Sequence, residues 1–383
     1  GVDAATWHIL APLMEKGKLP NFHTLVTRGS SCPLRTLYPA LSPVVWNSIS
    51  TGKLPGKHGI EGFVVEDSKS GKMVPYTSNM RKCKTLWDIM GSYGKHVGVV
   101  GWWNSWPAEQ VNGQMVCGIS GYKRKDLGEV DATNDFVEFT RKGRLQKTSF
   151  SDQTYPADFF DRIKDDIRSP SETGDIHPFL GDLWRQRTSM DATEVEMLEL
   201  LTSVYNADRS YVEIAKHIHT EYHPDFLAFY LAGLDVAGHK YWAFMEPDRF
   251  STPIPDVLKR RYRNVIVDYY AFVDEILGYF LSGKDQNTVI AVVSDHGMSP
   301  DDKKYRQTRI NSGRHTREDG VLILAGKHIR ENFPMKRATV LDLTPTLLAL
   351  MGLPIGVDMD GGVLEEAFAD GFLAEFPITF VHT

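Results

Sequence analysis

Three apolar, β-branched runs occur along the chain, and each predicts a buried strand. They cover 97–100, 226–234 and 288–293. Continuous runs of this kind are typical of strands that are buried on both faces, as in a parallel sheet. The second run is followed by Asp235 and the third by Ser294 and Asp295. Because ligands bind at the carboxyl ends of parallel strands, we expect both carboxylates at a functional edge of the sheet.

Segments with helical periodicity lie before, between and after these runs. They cover 85–93, 194–222, 256–281 and 342–351. Alternating strands and helices predict the α/β class, with a mostly parallel central sheet and helices on both faces. The stretch 121–190 differs because it is polar and lacks a long apolar run. We therefore predict a core formed by 1–120 and 191–383, with 121–190 as an inserted cap or lid.

Composition and charge narrow the class of protein. Of the 383 residues, 42% are hydrophobic and 24% are charged, which is typical of a globular protein with a large core. The net charge of −6 argues against a broad basic surface for duplex nucleic acid, so any phosphate chemistry must be local. The apolar runs are far shorter than the ~20 residues of a transmembrane helix.

The cysteines and the first residues of the chain give little information about the cellular compartment of the protein. Cys32, Cys83 and Cys117 are too few and too scattered for a disulfide framework or a cysteine metal site. The chain opens at Gly1 without an initiator Met, so we expect any signal peptide to have been removed or left out. We predict a soluble protein and leave open whether it is cytoplasmic or exported, together with its oligomeric state.

Residues that bind metals recur near the predicted strand ends. Three carboxylates and three imidazoles form this set: Asp3, Asp235, His239, Asp295, His296 and His315. A lone Asp or His is more often structural, but this mixed set suits two divalent, borderline-soft cations such as Zn²⁺. Gly238 and Gly297 flank two of the histidines and would let the backbone pass close to a metal site.

Ser42 is the candidate nucleophile. It precedes Pro43 in a loop that leads into an apolar segment ending at Thr51 and Gly52, which predicts a helix that starts near Pro43. At a helix N-terminus the dipole favours an alkoxide and an incoming phosphate oxygen. The alternative role for Ser42 is simple N-capping.

Together these motifs resemble the alkaline phosphatase superfamily, in particular its type I phosphodiesterase/nucleotide pyrophosphatase branch. The resemblance rests on Val2-Asp3, on 42–52 followed by Gly-Lys-His-Gly-Ile at 56–60, on 235–239, on 295–298, on His315 and on the C-terminal segment 341–348. It covers both ends of the core and leaves the cap unmatched. It implies an alkaline phosphatase-like fold and a hydrolase that acts on small phosphate esters with two divalent ions, Zn²⁺ or Mn²⁺.

The resemblance also implies a role for each residue. The first ion would be held by Asp235, His239 and His315, and the second by Asp3, Asp295 and His296. Ser42 would bridge to the second ion, attack phosphorus in line and form a phosphoseryl intermediate. Charge counting agrees, since two divalent cations balance three carboxylates and one serine alkoxide.

Two departures from the family pattern leave the substrate class open. Many nucleotide pyrophosphatases of this branch use Thr as the nucleophile, whereas Ser42 resembles that of the phosphomonoesterases and phosphomutases. Those pyrophosphatases also place an Asn about twenty residues later, where 60–64 has none. A phosphodiesterase is the leading hypothesis and a phosphomonoesterase or phosphomutase is the alternative. A catalytically silent metal-binding homologue is the hypothesis from a different class.

Aromatic residues cluster near two of the predicted strand ends. Trp102 and Trp103 follow the first apolar run, and Tyr241 and Trp242 follow His239. Core packing is one interpretation of these residues. The other is a stacking wall for a nucleobase or an aryl group. We predict substrate contacts at these four positions.

Overall fold

The architecture is a mixed β-sheet with helices on both faces. The computed structural model describes residues 1–68, 71–118, 152–169, 171–283, 285–315 and 319–382. Its strands are β1 (Gly29–Arg35), β2 (Val64–Glu66), β3 (Met73–Pro75), β4 (Val97–Val100), β5 (Gly113–Val116), β6 (Thr154–Tyr155), β7 (Phe226–Phe229), β8 (Val289–Val293), β9 (Met298–Pro300), β10 (Gly313–His315), β11 (Gly320–Gly326), β12 (Phe333–Pro334), β13 (Ala338–Thr339), β14 (Ile355–Gly356) and β15 (Phe380–Val381). Its helices are α1 (Trp7–Glu15), α2 (Pro20–Thr27), α3 (Ser42–Thr51), α4 (Pro55–His58), α5 (Leu86–Ser92), α6 (Phe160–Ile163), α7 (Pro178–Arg185), α8 (Ala192–Tyr222), α9 (Gly233–Met245), α10 (Asp256–Tyr262), α11 (Val265–Gly283), α12 (Asp302–Thr308), α13 (Leu343–Leu350) and α14 (Phe372–Glu375).

The first residues of the chain join two groups of strands. In one group β4 pairs in parallel with β5 and β7, and β6 pairs antiparallel with β5. In the other, β11 pairs antiparallel with β1 and β8, while β12 and β13 pair in parallel with β1. Val2 lies between the groups, because it forms a parallel bridge with Leu231 and its N–H donates to Val293 O at 2.8 Å. Asp3 therefore lies at the junction of the two groups.

Alternate residues of β11 face two different halves of the core. Val321, Ile323 and Ala325 pack with α1, α2, α8, α9 and α11, whereas Leu322 and Leu324 pack with α3, α5 and α13. Since successive side chains of a strand point to opposite faces, helices cover both faces of the sheet. This confirms the predicted α/β class. No helix in the described ranges has the length and apolar character needed to cross a membrane.

The parallel arrangement predicted from the apolar runs holds for only part of the sheet. It describes β4, β5 and β7, but β8 and β11 are antiparallel. The reason is the connection between them, which leaves β8 at Ser294 and comes back through His315 into β11. This return segment contributes three of the six predicted ligands.

Two of the predicted elements differ from the observed ones. The periodic segment 256–281 is not a single helix, because a turn at Arg263 and Asn264 separates α10 from α11. Asn264 O accepts from Asp268 N at 2.7 Å and so begins the second helix, in keeping with the preference of Asn for N-caps. The apolar run 226–234 ends as a strand at Phe229. Asp235 consequently lies in the first turn of α9 rather than directly at the strand end.

The described part of the predicted cap, 121–190, packs against the core. β6 extends the sheet beside β5, and Phe159 and Ile163 pack against Ile214 of α8. Residues 119–151 lie outside the described residues. The division into 1–120 with 191–383 and an inserted cap therefore stays a prediction.

Candidate metal centre and nucleophile

The six predicted ligands converge where the two groups of strands meet. Four segments supply them: the N-terminal bridge (Asp3), α9 (Asp235 and His239), the end of β8 (Asp295 and His296) and β10 (His315). The spacing of four residues in α9 places Asp235 and His239 on one helix face. Gly238, next to His239, lies so close to β9 that a Cβ there would be 2.2 Å from Met298 Sδ. A larger residue at this position would therefore displace the Met298 side chain.

Asp235, His239 and His315 form the first ligand set. His315 Nε2 lies 2.8 Å from Asp235 Oδ1 and 2.9 Å from His239 Nε2. His239 Nε2 lies 3.4 Å from Asp235 Oδ1. Burial lowers the pKa of His315, but the Asp235 carboxylate outweighs burial and raises that pKa to about 9. The position between these three atoms favours positive charge.

Asp3, Asp295 and His296 form the second set, and Ser42 lies beside it. His296 Nε2 lies 3.4 Å from Asp3 Oδ1, 3.3 Å from Asp295 Oδ2 and 3.5 Å from Ser42 Oγ. All four side chains are buried. Within the described residues, Asp3 Oδ1 and Asp295 Oδ2 have no hydrogen-bond partner. Because buried polar atoms are nearly always paired, these two oxygens fit a site that binds a cation.

Burial and clustering oppose the ionisation of Asp3 and Asp295 when no cation is present, whereas His239 and His315 outweigh burial and hold the pKa of Asp235 below its usual range. Burial and the Asp235 carboxylate raise the pKa of Asp3 to about 6. Burial and Asp3 hold the pKa of Asp295 well above its usual range. Burial also lowers the pKa of His296 to about 3, which keeps its ring neutral and able to bind a metal. Divalent cations would reverse the penalty on the carboxylates.

Backbone carbonyls orient all three imidazoles in the same way. His239 Nδ1 lies 2.8 Å from Gly313 O, His315 Nδ1 lies 3.0 Å from Ala40 O, and His296 Nδ1 lies 3.2 Å from Gly297 O. A carbonyl oxygen only accepts, so each Nδ1 carries a proton and Nε2 is the nitrogen directed at the centre. At His315, whose pKa is raised, a cation would have to displace the proton from Nε2. Fixing the tautomer through the outer nitrogen is the usual arrangement of metal-binding histidines.

This donor set fits two divalent cations. One ligand atom each from Asp3, Asp295 and His296 lie within 4.8 Å of one another, and the same is true of Asp235, His296 and His315. His296 thus belongs to both groups. His239 belongs to neither, but its Nε2 lies 2.9 Å from His315 Nε2 and 3.4 Å from Asp235 Oδ1, so it remains a predicted ligand beside them. Three nitrogen and three carboxylate ligands suit Zn²⁺, and Mn²⁺ accepts the same residue types.

Ser42 is the first residue of α3, with Pro43 as the second, which matches the predicted helix start. His58 supports α3 from behind: its Nδ1 accepts from Ile60 N, so its Nε2 donates to Ser48 Oγ at 2.9 Å. Burial lowers the pKa of His58 to about 4, which keeps the ring neutral. His58 therefore anchors the nucleophile helix.

A buried polar network also holds the first turn of α3. Asn47 Nδ2 donates to Pro43 O at 2.7 Å and to Asn104 Oδ1 at 2.8 Å. Arg81 donates to Asn47 Oδ1 and to Glu109 Oε2, each at 3.1 Å. The network connects the nucleophile helix to the loop after β4.

The structure corrects the predicted stacking wall. Trp102, Tyr241 and Trp242 are buried in the core, with exposures of 5%, 0% and 2%. Buried rings offer no face to a substrate, so these three are packing residues. Trp103 is partly exposed and packs edge-on against Phe63, with ring centroids 5.9 Å apart.

Two residues that contact the site were missed by the sequence analysis. Tyr230 Oη and Trp46 Nε1 both donate to Asp3 Oδ2, at 2.5 Å and 3.3 Å. Tyr230 follows a strand and Trp46 lies one turn after Ser42, so both fit the pattern of core aromatics. The sequence signal that could have identified them is their polar atoms, since a buried Tyr or Trp usually requires a hydrogen-bond partner.

Known proteins share this arrangement of strands and helices. Among solved structures, the chain is similar to murine ectonucleotide pyrophosphatase/phosphodiesterase 5, an inactive variant in complex with AMP, at 13% identity and a TM-score of 0.54 over 92% of this chain and 94% of that chain. The human protein of the same name gives 12% identity and a TM-score of 0.53 over 98% of each chain. Wild-type alkaline phosphatase PafA gives 13% and 0.51 over 96% of this chain and 98% of that chain. These similarities confirm the alkaline phosphatase-like fold.

The family itself follows from the sequence. No curated protein matches the chain. Residues 1–343, however, match the family described as type I phosphodiesterase / nucleotide pyrophosphatase, and this span contains Ser42 and all six ligands. The chain therefore belongs to the type I phosphodiesterase/nucleotide pyrophosphatase family and is a hydrolase of phosphoric esters.

Proposed function

We propose that the protein is a two-metal phosphodiesterase that forms a phosphoseryl intermediate on Ser42. The observation that carries this proposal is the convergence of three imidazole Nε2 atoms, three carboxylates and the Ser42 hydroxyl at one buried place. A silent homologue would have no physical reason to keep three carboxylates buried together, because such a cluster is unfavourable without cations.

Asp235, His239 and His315 would hold one ion, while Asp3, Asp295 and His296 would hold the other. Two such ions supply Lewis acidity that lowers the pKa of a nearby hydroxyl and offsets negative charge on phosphate oxygens. Ser42 Oγ, 3.5 Å from His296 Nε2, is placed to bridge to the second ion. This geometry explains how Ser42 ionises although the described residues offer it no carboxylate–histidine base pair of the serine protease type.

In the proposed reaction Ser42 Oγ attacks phosphorus in line with the leaving group. The bond from phosphorus to the leaving oxygen breaks, and that oxygen departs with the electron pair. Water then attacks the phosphoseryl group from the side that the leaving group vacated and regenerates the Ser42 hydroxyl. Each displacement inverts phosphorus, so the product has overall retention.

The charges around the site favour a diester over a monoester. Among the described residues, the ion pairs of the six ligands join them only to one another. The nearby Arg81 is committed to Asn47 and Glu109, and Lys53 is committed to Asp358. A phosphomonoester carries one more negative charge than a diester and needs additional positive side chains. The lower charge of a diester matches this site.

Aromatic side chains suggest the kind of leaving group. Trp103 and Phe63 are both partly exposed, and Trp103 also packs against Tyr230, whose hydroxyl contacts Asp3. A planar aryl or nucleoside group would find a stacking surface there. The AMP complex of the murine relative makes nucleotide esters the natural class to compare.

The test compares kcat/KM for the mono- and the bis-ester of phosphoric acid with 4-nitrophenol. We expect the bis-ester to be cleaved faster. A monoester preference above about tenfold, or roughly 1.4 kcal/mol, would support the phosphomonoesterase or phosphomutase alternative, which the Ser42 nucleophile favours. Acid quenching during turnover, followed by mass spectrometry, should find phosphate on the peptide that contains Ser42. Its absence under burst conditions would contradict the covalent route.

A further inference from the structure

The two carboxylate oxygens of Asp3 have different surroundings. Oδ2 accepts from Tyr230 Oη at 2.5 Å and from Trp46 Nε1 at 3.3 Å. Oδ1 is buried, lies 3.4 Å from His296 Nε2 and has no hydrogen-bond donor among the described residues. Two donors on one oxygen restrict rotation of the carboxylate about its Cβ–Cγ bond. They leave Oδ1 as the oxygen that is available to a cation.

The backbone of Asp3 is fixed as well. Its N–H donates to Leu231 O at 3.0 Å, and Val2 N–H donates to Val293 O at 2.8 Å. Neither the main chain nor the side chain of Asp3 therefore has much freedom to move toward a cation. The position of Oδ1 depends on the two aromatic donors.

Trp46 additionally connects this ligand to the nucleophile. It lies four residues after Ser42 in α3, which is about one helical turn, so both residues belong to the same rigid element. Its ring packs edge-on between Trp102 and Tyr230, with centroid separations of 5.1 Å and 5.2 Å. The hydrogen bond from Trp46 to Asp3 ties the start of α3 to the second ligand set.

We propose that Tyr230 and Trp46 are positioning residues that hold Asp3 as a monodentate ligand and keep Ser42 in register with the second ion. This inference rests on the proposed two-metal function. According to this inference, the metal affinity of the site formed by Asp3, Asp295 and His296 depends on the hydrogen bonds from Tyr230 and Trp46. The site formed by Asp235, His239 and His315 does not depend on them.

The test is a competition titration of metal-free enzyme with Zn²⁺ in the presence of a chromogenic chelator. Tyr230→Phe and Trp46→Phe remove one donor each and keep an aromatic ring in the core. We expect the wild type to bind two ions. Each variant should bind one of the two about 10–100-fold more weakly, as is usual when a hydrogen bond that supports a metal ligand is lost. Affinity for the other ion should not change.

Tyr262→Phe is the matched control. Tyr262 is also buried, and its hydroxyl donates to a carboxylate, Glu194 Oε1, at 2.9 Å, but Glu194 belongs to neither ligand set. The control should bind both ions with wild-type affinity. The melting temperature of each metal-free variant is measured in parallel, because a merely structural role would lower that temperature and weaken both ions together.

The outcomes separate this inference from the proposed function. If the wild type does not bind two ions, the proposed function fails. If the wild type binds two ions, and both Tyr230→Phe and Trp46→Phe bind them as tightly as the wild type does, only the positioning role is overturned. The positioning role is also overturned if the affinities for both ions fall equally, or if Tyr262→Phe loses as much affinity as the two variants. If one variant does not fold, the other decides the question.

Discussion

At the candidate metal centre, the chemistry of each histidine depends on which ring nitrogen is not hydrogen-bonded to the backbone. Gly313 O, Ala40 O and Gly297 O bind the outer nitrogen of the three histidines, so the inner nitrogen faces the centre. A substitution at position 313, 40 or 297 changes the side chain but keeps the backbone oxygen that accepts this hydrogen bond. The orientation of the three imidazoles therefore depends on the main-chain path. The reactivity that we propose for Ser42, in contrast, depends on one hydroxyl group.

Ser42→Ala removes the hydroxyl that we propose as the nucleophile. We expect kcat/KM for the aryl diester to fall by roughly 10⁴-fold or more, because the covalent route is lost. Folding by circular dichroism and binding of two metal ions should be retained. Ser50→Ala is a suitable control, since Ser50 lies in the same helix and its hydroxyl donates only to Asn47 O. Near-normal rates in Ser42→Ala would show that another group attacks phosphorus.

At the level of elements, α9 carries two ligands and is held at its first turn by a buried carboxylate. Asp208 Oδ1 accepts from Ala232 N at 2.9 Å, and Oδ2 accepts from Gly233 N at 3.0 Å and from Tyr269 Oη at 2.8 Å. A Cβ at Gly233 would lie 1.8 Å from Tyr269 Oη, so the helix start has no room for another residue. These contacts fix the position from which Asp235 extends.

Asp208→Asn places an amide NH₂ against at least one of these donors. We expect a loss of about 1–3 kcal/mol in the free energy of unfolding, measured with urea. We also expect weaker binding of the ion at Asp235. Asp274→Asn is the matched control, because Asp274 accepts from the N–H groups of Asn21 and Phe22 in α2, which carries no ligand. The control should lose stability but keep metal affinity. Unchanged metal affinity in Asp208→Asn would contradict the role given to α9.

The pH dependence of Asp208 follows from its burial. Burial raises the pKa of Asp208 to about 7, above the ~3.9 of an unfolded Asp. The folded state therefore binds more protons between these values, and its stability falls as the pH rises. We expect the stability difference between wild type and Asp208→Asn to shrink from pH 5 to pH 7, by at most about 1.4 kcal/mol per pH unit. A difference that widens over this range would show that the ionised carboxylate is the more stable form.

The elements show what the sequence could and could not predict. The runs at 97–100 and 288–293 became β4 and β8, because continuous apolar β-branched residues have few other stable states. Periodicity did not reveal the break at Asn264. It also did not reveal which side Trp102 and Tyr241 face. Apolar patterns report that a side chain is buried, whereas its neighbours depend on contacts between distant segments.

On the scale of the whole molecule, the metal centre joins segments that are far apart in the chain. Asp3 follows the bridge at Val2 between the two groups of strands, Asp235 belongs to α9, Asp295 follows the end of β8, and His315 is the last residue of β10. The sequence identified these residues by their type and their positions near predicted strand ends, and the family resemblance divided them between two ions. Their distances could not be derived from spacing, since each pair is brought together by the sheet. Metal binding should consequently stabilise the fold as a whole.

Chelation should lower stability and activity together. We expect dialysis against EDTA to abolish turnover and to lower the melting temperature, because three buried carboxylates then lack cations. Zn²⁺ at about 1,000 times its Kd should restore about 4 kcal/mol per bound ion to the free energy of unfolding if the unfolded chain does not bind it. A double variant, Asp295→Ala with His239→Ala, should show a much smaller Zn²⁺-dependent shift, since each ligand set has lost a member. A melting temperature that is the same with and without Zn²⁺, or that Ca²⁺ restores equally well, would contradict a centre built for borderline-soft cations.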